Sequence, residues 1–199
     1  AEYAAVVLEA SRARCALKVT GREAVDRESL FAVTLAQAVS GGERMDYTIQ
    51  KAVELGVAAI QPLEASRSVV RLSGERAPKR LAHWQAVAIA ACEQCGRNRV
   101  PRVLALARLD AFLAALAAPS AGEQRVLLSP RSARGLRELG RPAGAIVLLA
   151  GPEGGLTPGE ERAAGAAGFL PVRLGPRVLR TETAAVAALA AMQALWGDF

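Results

Sequence analysis

Ala145-Ile146-Val147-Leu148-Leu149-Ala150-Gly151-Pro152-Glu153-Gly154-Gly155-Leu156-Thr157-Pro158-Gly159-Glu160 reads as a buried strand, a glycine turn and a helix start in succession. An unbroken apolar run fits a strand covered on both faces. Glycine lets the chain turn with positive φ and lets a ligand approach the backbone. Thr157, Pro158 and Glu160 supply a cap, a residue suited to the first helical position and the third-position acid of a capping box. The spacing matches neither a P-loop nor G-x-G-x-x-G, so the turn is a ligand loop of another kind or a glycine turn without a ligand.

Two further junctions flank it. Val126-Leu127-Leu128-Ser129-Pro130 ends a short strand, and Leu174-Gly175-Pro176-Arg177-Val178-Leu179-Arg180-Thr181-Glu182-Thr183 links a strand end to a helix start. Thr181 is the expected cap of that helix. A cation beside a helix N-terminus opposes the dipole, so Arg180 is expected to face an anion or another chain.

Outward from these loops the chain alternates strand and helix. Strands are expected at 31–39, 57–63, 102–107, 125–129, 145–150 and 170–174. Helices are expected at 43–55, 76–96, 110–118, 132–139, 158–167 and 182–196, with Gly56 and Gly96 closing the first two. Repeated β-α-β units imply a mostly parallel sheet with helices on both faces, and ligands at the carboxyl ends of its strands. Residues 1–27 differ: Tyr3–Leu8 and Cys15–Val19 are two short strands that need further partners to be stable.

Composition narrows the function. The net charge of +6 and 52% hydrophobic residues describe a folded basic protein suited to a polyanion, though a basic enzyme without such a partner fits as well. Arg67, Arg71, Arg76, Lys79 and Arg80 form one basic stretch. Arg97 and Arg99 follow the helix end at Gly96, either compensating its dipole or contacting phosphate. The cysteines Cys15, Cys92 and Cys95 and the single histidine, His83, fall short of a four-ligand zinc site, so no metal is expected. His83 reads as structural, which leaves no hydrolytic triad. No apolar run reaches membrane-spanning length and no signal peptide is visible, which points to a reducing cytoplasm.

Four motifs in order carry a resemblance. Lys51–Val57 with Pro62, Glu93-Gln94-Cys95-Gly96-Arg97 with Val100-Pro101, Gly151–Gly155, and Leu179–Ala184 together resemble the 16S ribosomal RNA uridine-N3 methyltransferases of the SPOUT superfamily. The resemblance implies an α/β domain at residues 28–199 whose C-terminal segment forms a deep trefoil knot. It implies that residues 1–27 are the later strands of a PUA-like RNA-binding β-barrel. It implies a homodimer acting on 16S ribosomal RNA or the small ribosomal subunit. S-adenosylmethionine would sit against Leu128, Ser129, Pro130, Gly151, Pro152, Glu153, Gly154, Gly155, Leu174, Gly175, Leu179, Arg180, Thr181 and Thr183. Arg67, Lys79, Arg80, Arg97 and Arg99 would meet RNA. Arg97 and Arg180 would stabilise the uracil anion or grip a phosphate, and Glu182, or else Glu153, would take the N3 proton. A knotted methyltransferase for another RNA, a non-catalytic ribosome-assembly factor and an ordinary nucleotide-binding enzyme are the competing readings.

Overall fold

The structure, a computed structural model, describes residues 1–72 and 74–199. Seven strands form one parallel sheet: β3 (Val33–Ala38), β4 (Ala59–Glu64), β5 (Arg102–Val103), β6 (Ala107–Arg108), β7 (Gln124–Leu128), β8 (Ile146–Ala150) and β9 (Leu170–Val172). The order is β5-β4-β3-β8-β7-β9, and β6 also pairs with β4. Side chains alternate between faces with period two. Leu35, Val126 and Leu148 enter one core, while Ala36, Leu127 and Leu149 enter the other.

The first core lies under α1 (Arg44–Glu54), α2 (Arg76–Cys95) and α5 (Thr181–Trp196); the second lies under α3 (Leu109–Ala115) and α4 (Pro158–Ala166). The α1 stripe Met45, Ile49, Ala52 and Val53 is fully buried, and each large side chain there contributes about 2 kcal/mol. Gly56 closes α1 and Gly96 closes α2, with φ of 82° and 77°. Gln193 of α5 donates to the orphan Leu55 carbonyl at the end of α1, at 2.8 Å.

Two expected elements differ. The strand at 102–107 divides into β5 and β6: Leu104 still donates to the Ile60 carbonyl, and the pairing with β4 resumes only at Ala107. The helix at 132–139 is a single 3-10 turn, Leu136–Glu138. Its segment runs beside the sheet edge instead: Gly135 bridges to Arg173 in parallel, and the Arg173 N–H donates to the Arg134 carbonyl. Tertiary backbone pairing displaces local helix formation there.

The N-terminal strands β1 (Glu2–Ala10) and β2 (Cys15–Glu23) form a separate antiparallel hairpin. Tyr3, Val6, Val7, Leu8, Leu17 and Val19 all remain exposed on it.

Candidate functional site

The carboxyl ends of β7, β8 and β9 open into one cavity of about 610 Å³. Its wall is built from the three junctions singled out in the sequence. Leu128, Ser129 and Pro130 follow β7, and Gly151–Gly155 follow β8. Leu174, Gly175, Leu179, Arg180, Thr181 and Glu182 come from the chain between β9 and α5. Thr183 is outside the lining: it is exposed, while its neighbours Glu182 and Ala184 face the cavity.

Each junction is fixed locally. Beyond the glycine turn, Thr157 accepts from the Glu160 N–H while Glu160 accepts from the Thr157 N–H, the full capping box expected for α4. Gly155 holds φ at 66°, and a Cβ on Gly151 would stand 3.2 Å from the Leu156 backbone nitrogen. The turn is therefore tight against its own return, and larger side chains would distort it.

The two C-terminal loops are tied at their base. Thr181 Oγ1 donates to the Gly151 carbonyl at 2.6 Å and accepts from Gln37 Nε2 at 2.9 Å. This corrects the sequence reading, which made Thr181 the cap of α5. The cap position belongs to Arg180, without a side-chain cap bond, and Thr181 is the first helical residue. Its hydroxyl is drawn instead to the half-buried Gly151 carbonyl and the buried Gln37 amide. Gln37 lies on the central strand β3, so the start of α5 rests across the ends of β3 and β8 although β9 lies beyond β7.

Charge at the cavity is uneven. Arg44, Arg67, Arg131, Arg173, Arg177 and Arg180 line it against Glu153, Glu161 and Glu182, an excess of three positive charges from six minus three. Glu153 accepts from the Gly41 N–H and from Arg44 at 3.0 Å. Burial pushes the Glu153 carboxyl up, but those hydrogen bonds outweigh it and leave the group below its ordinary range. Glu153 thus clips the glycine turn to the segment at the start of α1. Glu182 keeps only a long contact with Arg44, 3.9 Å, and its Oε2 is buried without a partner among the described residues. Arg180 is exposed, and no carboxylate stands within 4.0 Å of it among the described residues. Ser129 donates to Glu161, which also pairs with Arg131. Arg44, Glu161, Arg173 and Arg177 escaped the sequence reading. Arg177 lay inside a quoted motif, whereas Arg44 and Glu161 gave no local signal.

A family model described as an RNA methyltransferase domain matches residues 27–193. The ribosomal RNA small subunit methyltransferase E of Buchnera aphidicola is 33% identical over 96% of this chain and 77% of its own length. That of Bacillus subtilis is 37% identical over 84% of this chain and 67% of its own. This chain belongs to the ribosomal RNA small subunit methyltransferase E family. A crystal structure of the methyltransferase E of Neisseria gonorrhoeae, bound to S-adenosylmethionine, superposes with a TM-score of 0.91 at 46% identity, covering 98% of this chain and 79% of that one. A putative methyltransferase of Legionella pneumophila, also in complex with the cofactor, gives 0.92 at 38% identity, covering 99% and 80%.

Within this chain the expected RNA-facing residues separate. Arg67 reaches the cavity rim and donates to the Gly154 carbonyl at 3.0 Å. Lys79 pairs with Glu75, Arg80 lies over the Trp84 ring and Arg99 pairs with Asp26. Arg97, expected to be catalytic, is not among the residues that line the cavity. Its side chain is 5% exposed, donates to the Val53 and Val57 carbonyls and pairs with Glu28. The guanidinium adds a donor to the Val53 carbonyl in the last turn of α1, which also accepts from the Gly56 N–H, and to the Val57 carbonyl beyond it. His83 and Trp84 both bond Asp46, a structural cluster. Cys92 is buried and donates to the Arg99 carbonyl. Among the described residues no three His, Cys, Asp or Glu side chains gather as metal ligands, and no helix is long and apolar enough to cross a membrane.

Proposed function

We propose that this chain transfers the methyl group of S-adenosylmethionine to N3 of a uridine in 16S ribosomal RNA. The observation that carries the reading is the convergence of the Gly151–Gly155 turn and the Leu174–Glu182 segment on one cavity, tied by Thr181 to Gly151. The residues fit the cofactor. About 610 Å³ lies within the range of roughly 300–1,000 Å³ usual for small-molecule sites. Leu128, Leu156, Val172 and Leu179 supply apolar surface, and the glycine turn supplies backbone groups at close range. When bound, the cofactor supplies a methyl group already activated by a positive sulfur.

The chain's own work is positioning and proton handling. The tied loops hold their backbone groups fixed and exclude water from the cavity floor. The proton on uridine N3 passes to Glu182, whose Oε2 has no other partner among the described residues. Arg180, unpaired at the rim, faces the uracil as negative charge develops on it. No metal enters the scheme.

Residues 28–199 are read as the methyltransferase unit and residues 1–27 as a PUA-like β element serving RNA binding. The passage from β9 across β7 and β8 to α5 supports a trefoil knot, and the small residues of α5 suit close packing in a homodimer. The cytoplasm is the compartment that fits the ribosomal substrate. The test is incubation of the protein and labelled cofactor with small ribosomal subunits lacking the modification, followed by mass spectrometry of 16S ribosomal RNA. Methyl on uridine N3 is expected; its absence, or methyl elsewhere, overturns the reading.

A further inference from the structure

We propose that the edge of the sheet beside β9 is a phosphate track, in which Arg134, Arg173 and Arg177 grip the RNA backbone next to the target nucleotide. The proposal rests on the methyltransferase reading above and assigns the surface by which that site takes its RNA. Four observations carry it. All three arginines are exposed. None has a carboxylate within 4.0 Å among the described residues, whereas Lys79, Arg97 and Arg99 are each paired with an acid. Arg134 and Arg173 are joined through the backbone, the Arg173 N–H donating to the Arg134 carbonyl at 2.9 Å. Arg173 and Arg177 also line the cavity, which joins the sheet edge to the cavity mouth.

The charges facing the track favour an anion. Arg131 and Arg180 stand at the same mouth, and of the nearby acids Glu161 is bonded to Arg131 and Glu138 accepts from the Gly135 N–H. Arginine forks suit phosphate oxygens, and unpaired exposed guanidinium groups keep their donors available for them. A nucleic-acid backbone is the polyanion that fits a row leading into a nucleotide-modifying cavity, where the target base must leave its stack while its flanking phosphates are held.

The test is filter binding of 16S ribosomal RNA to the full chain across a salt series. Arg134→Gln/Arg173→Gln/Arg177→Gln is compared with the unaltered protein and with the triple lysine variant. Each lost phosphate contact removes about 0.7–0.9 from the slope of log affinity against log salt. The glutamine triple is therefore expected to lose about 2 to 3 from that slope, while the lysine triple keeps most of it. Thermal unfolding of all three proteins controls for folding. An unchanged slope, or equal loss in the glutamine and lysine proteins, overturns the track. Binding to anionic phospholipid vesicles in preference to RNA also overturns it. Methyl transfer by the unaltered protein judges the underlying reading separately. Transfer that persists while the slope ignores these arginines sinks the track alone.

Discussion

At the residue scale, Thr181 and Arg97 show how one side chain's role depends on its surroundings. Thr181 holds the Gly151 carbonyl and the Gln37 amide together below the cavity. Thr181→Val keeps the shape and removes the hydroxyl, taking the donor from the Gly151 carbonyl and leaving Gln37 Nε2 only its bond to the Ala38 carbonyl. A loss of about 1–3 kcal/mol of stability and weaker cofactor binding are expected, read by urea unfolding and calorimetry. Unaltered cofactor affinity would show that the tie does not shape the cavity. Arg97→Ala removes the counter-charge of the half-buried Glu28 and a donor from the Val53 and Val57 carbonyls, a change expected to cost about 3 kcal/mol. Methyl transfer per folded molecule should be unchanged; a selective fall in transfer at equal stability would restore the catalytic role the sequence suggested. Arg180→Ala should have the opposite profile: cofactor affinity within a few-fold, thermal stability unchanged and transfer strongly reduced.

At the element scale, the start of α4 is where sequence and structure agree most closely. Thr157→Ala removes the cap bond and should destabilise by about 1 kcal/mol, measured by thermal unfolding. Glu160 adds a pH dependence. Burial raises its carboxyl, but the Ser66 and Thr157 N–H groups, with their side chains, lower it further, so its folded value lies below the ordinary one. A depressed carboxylate contributes stability that is full above the unfolded value of about 4.3 and is lost as pH falls through the folded value. The urea midpoint should therefore drop less steeply on acidification in Glu160→Gln than in the unaltered protein; parallel curves would exclude this contribution. The helix expected at 132–139 is the opposite case. Its polar and apolar spacing suits a helix, but Arg134 and Gly135 pair with Arg173 instead, and that partner is 38 residues away in sequence, from 135 to 173.

At the scale of the whole molecule, stability is distributed unevenly. The central strands β3 and β8 are covered on both faces, whereas the hairpin of β1 and β2 leaves its large apolar side chains in solvent. Two strands alone are marginal in water. Amide exchange should be fast across β1 and β2 and slowest in β3 and β8, as read by mass spectrometry. Equal protection of the hairpin would mean that its exposed face is covered in solution.

Periodicity and turn chemistry by themselves determined the order of strands and helices, the parallel character of the sheet, the capping box of α4 and the three loops that carry the cavity. Those are local signals: an apolar run, a glycine, a Thr-Pro-x-Glu start act within a few residues. The tertiary structure alone decided which side chains from outside those loops reach the cavity. Arg44 and Glu161 arrive from helices whose sequences carry no ligand signal, Arg173 and Arg134 meet only because β9 pairs beside β7, and Arg97 turns inward to Glu28 and to the carbonyls of Val53 and Val57 at the end of α1. A side chain's partners are set by elements distant in sequence, and no local pattern encodes that distance.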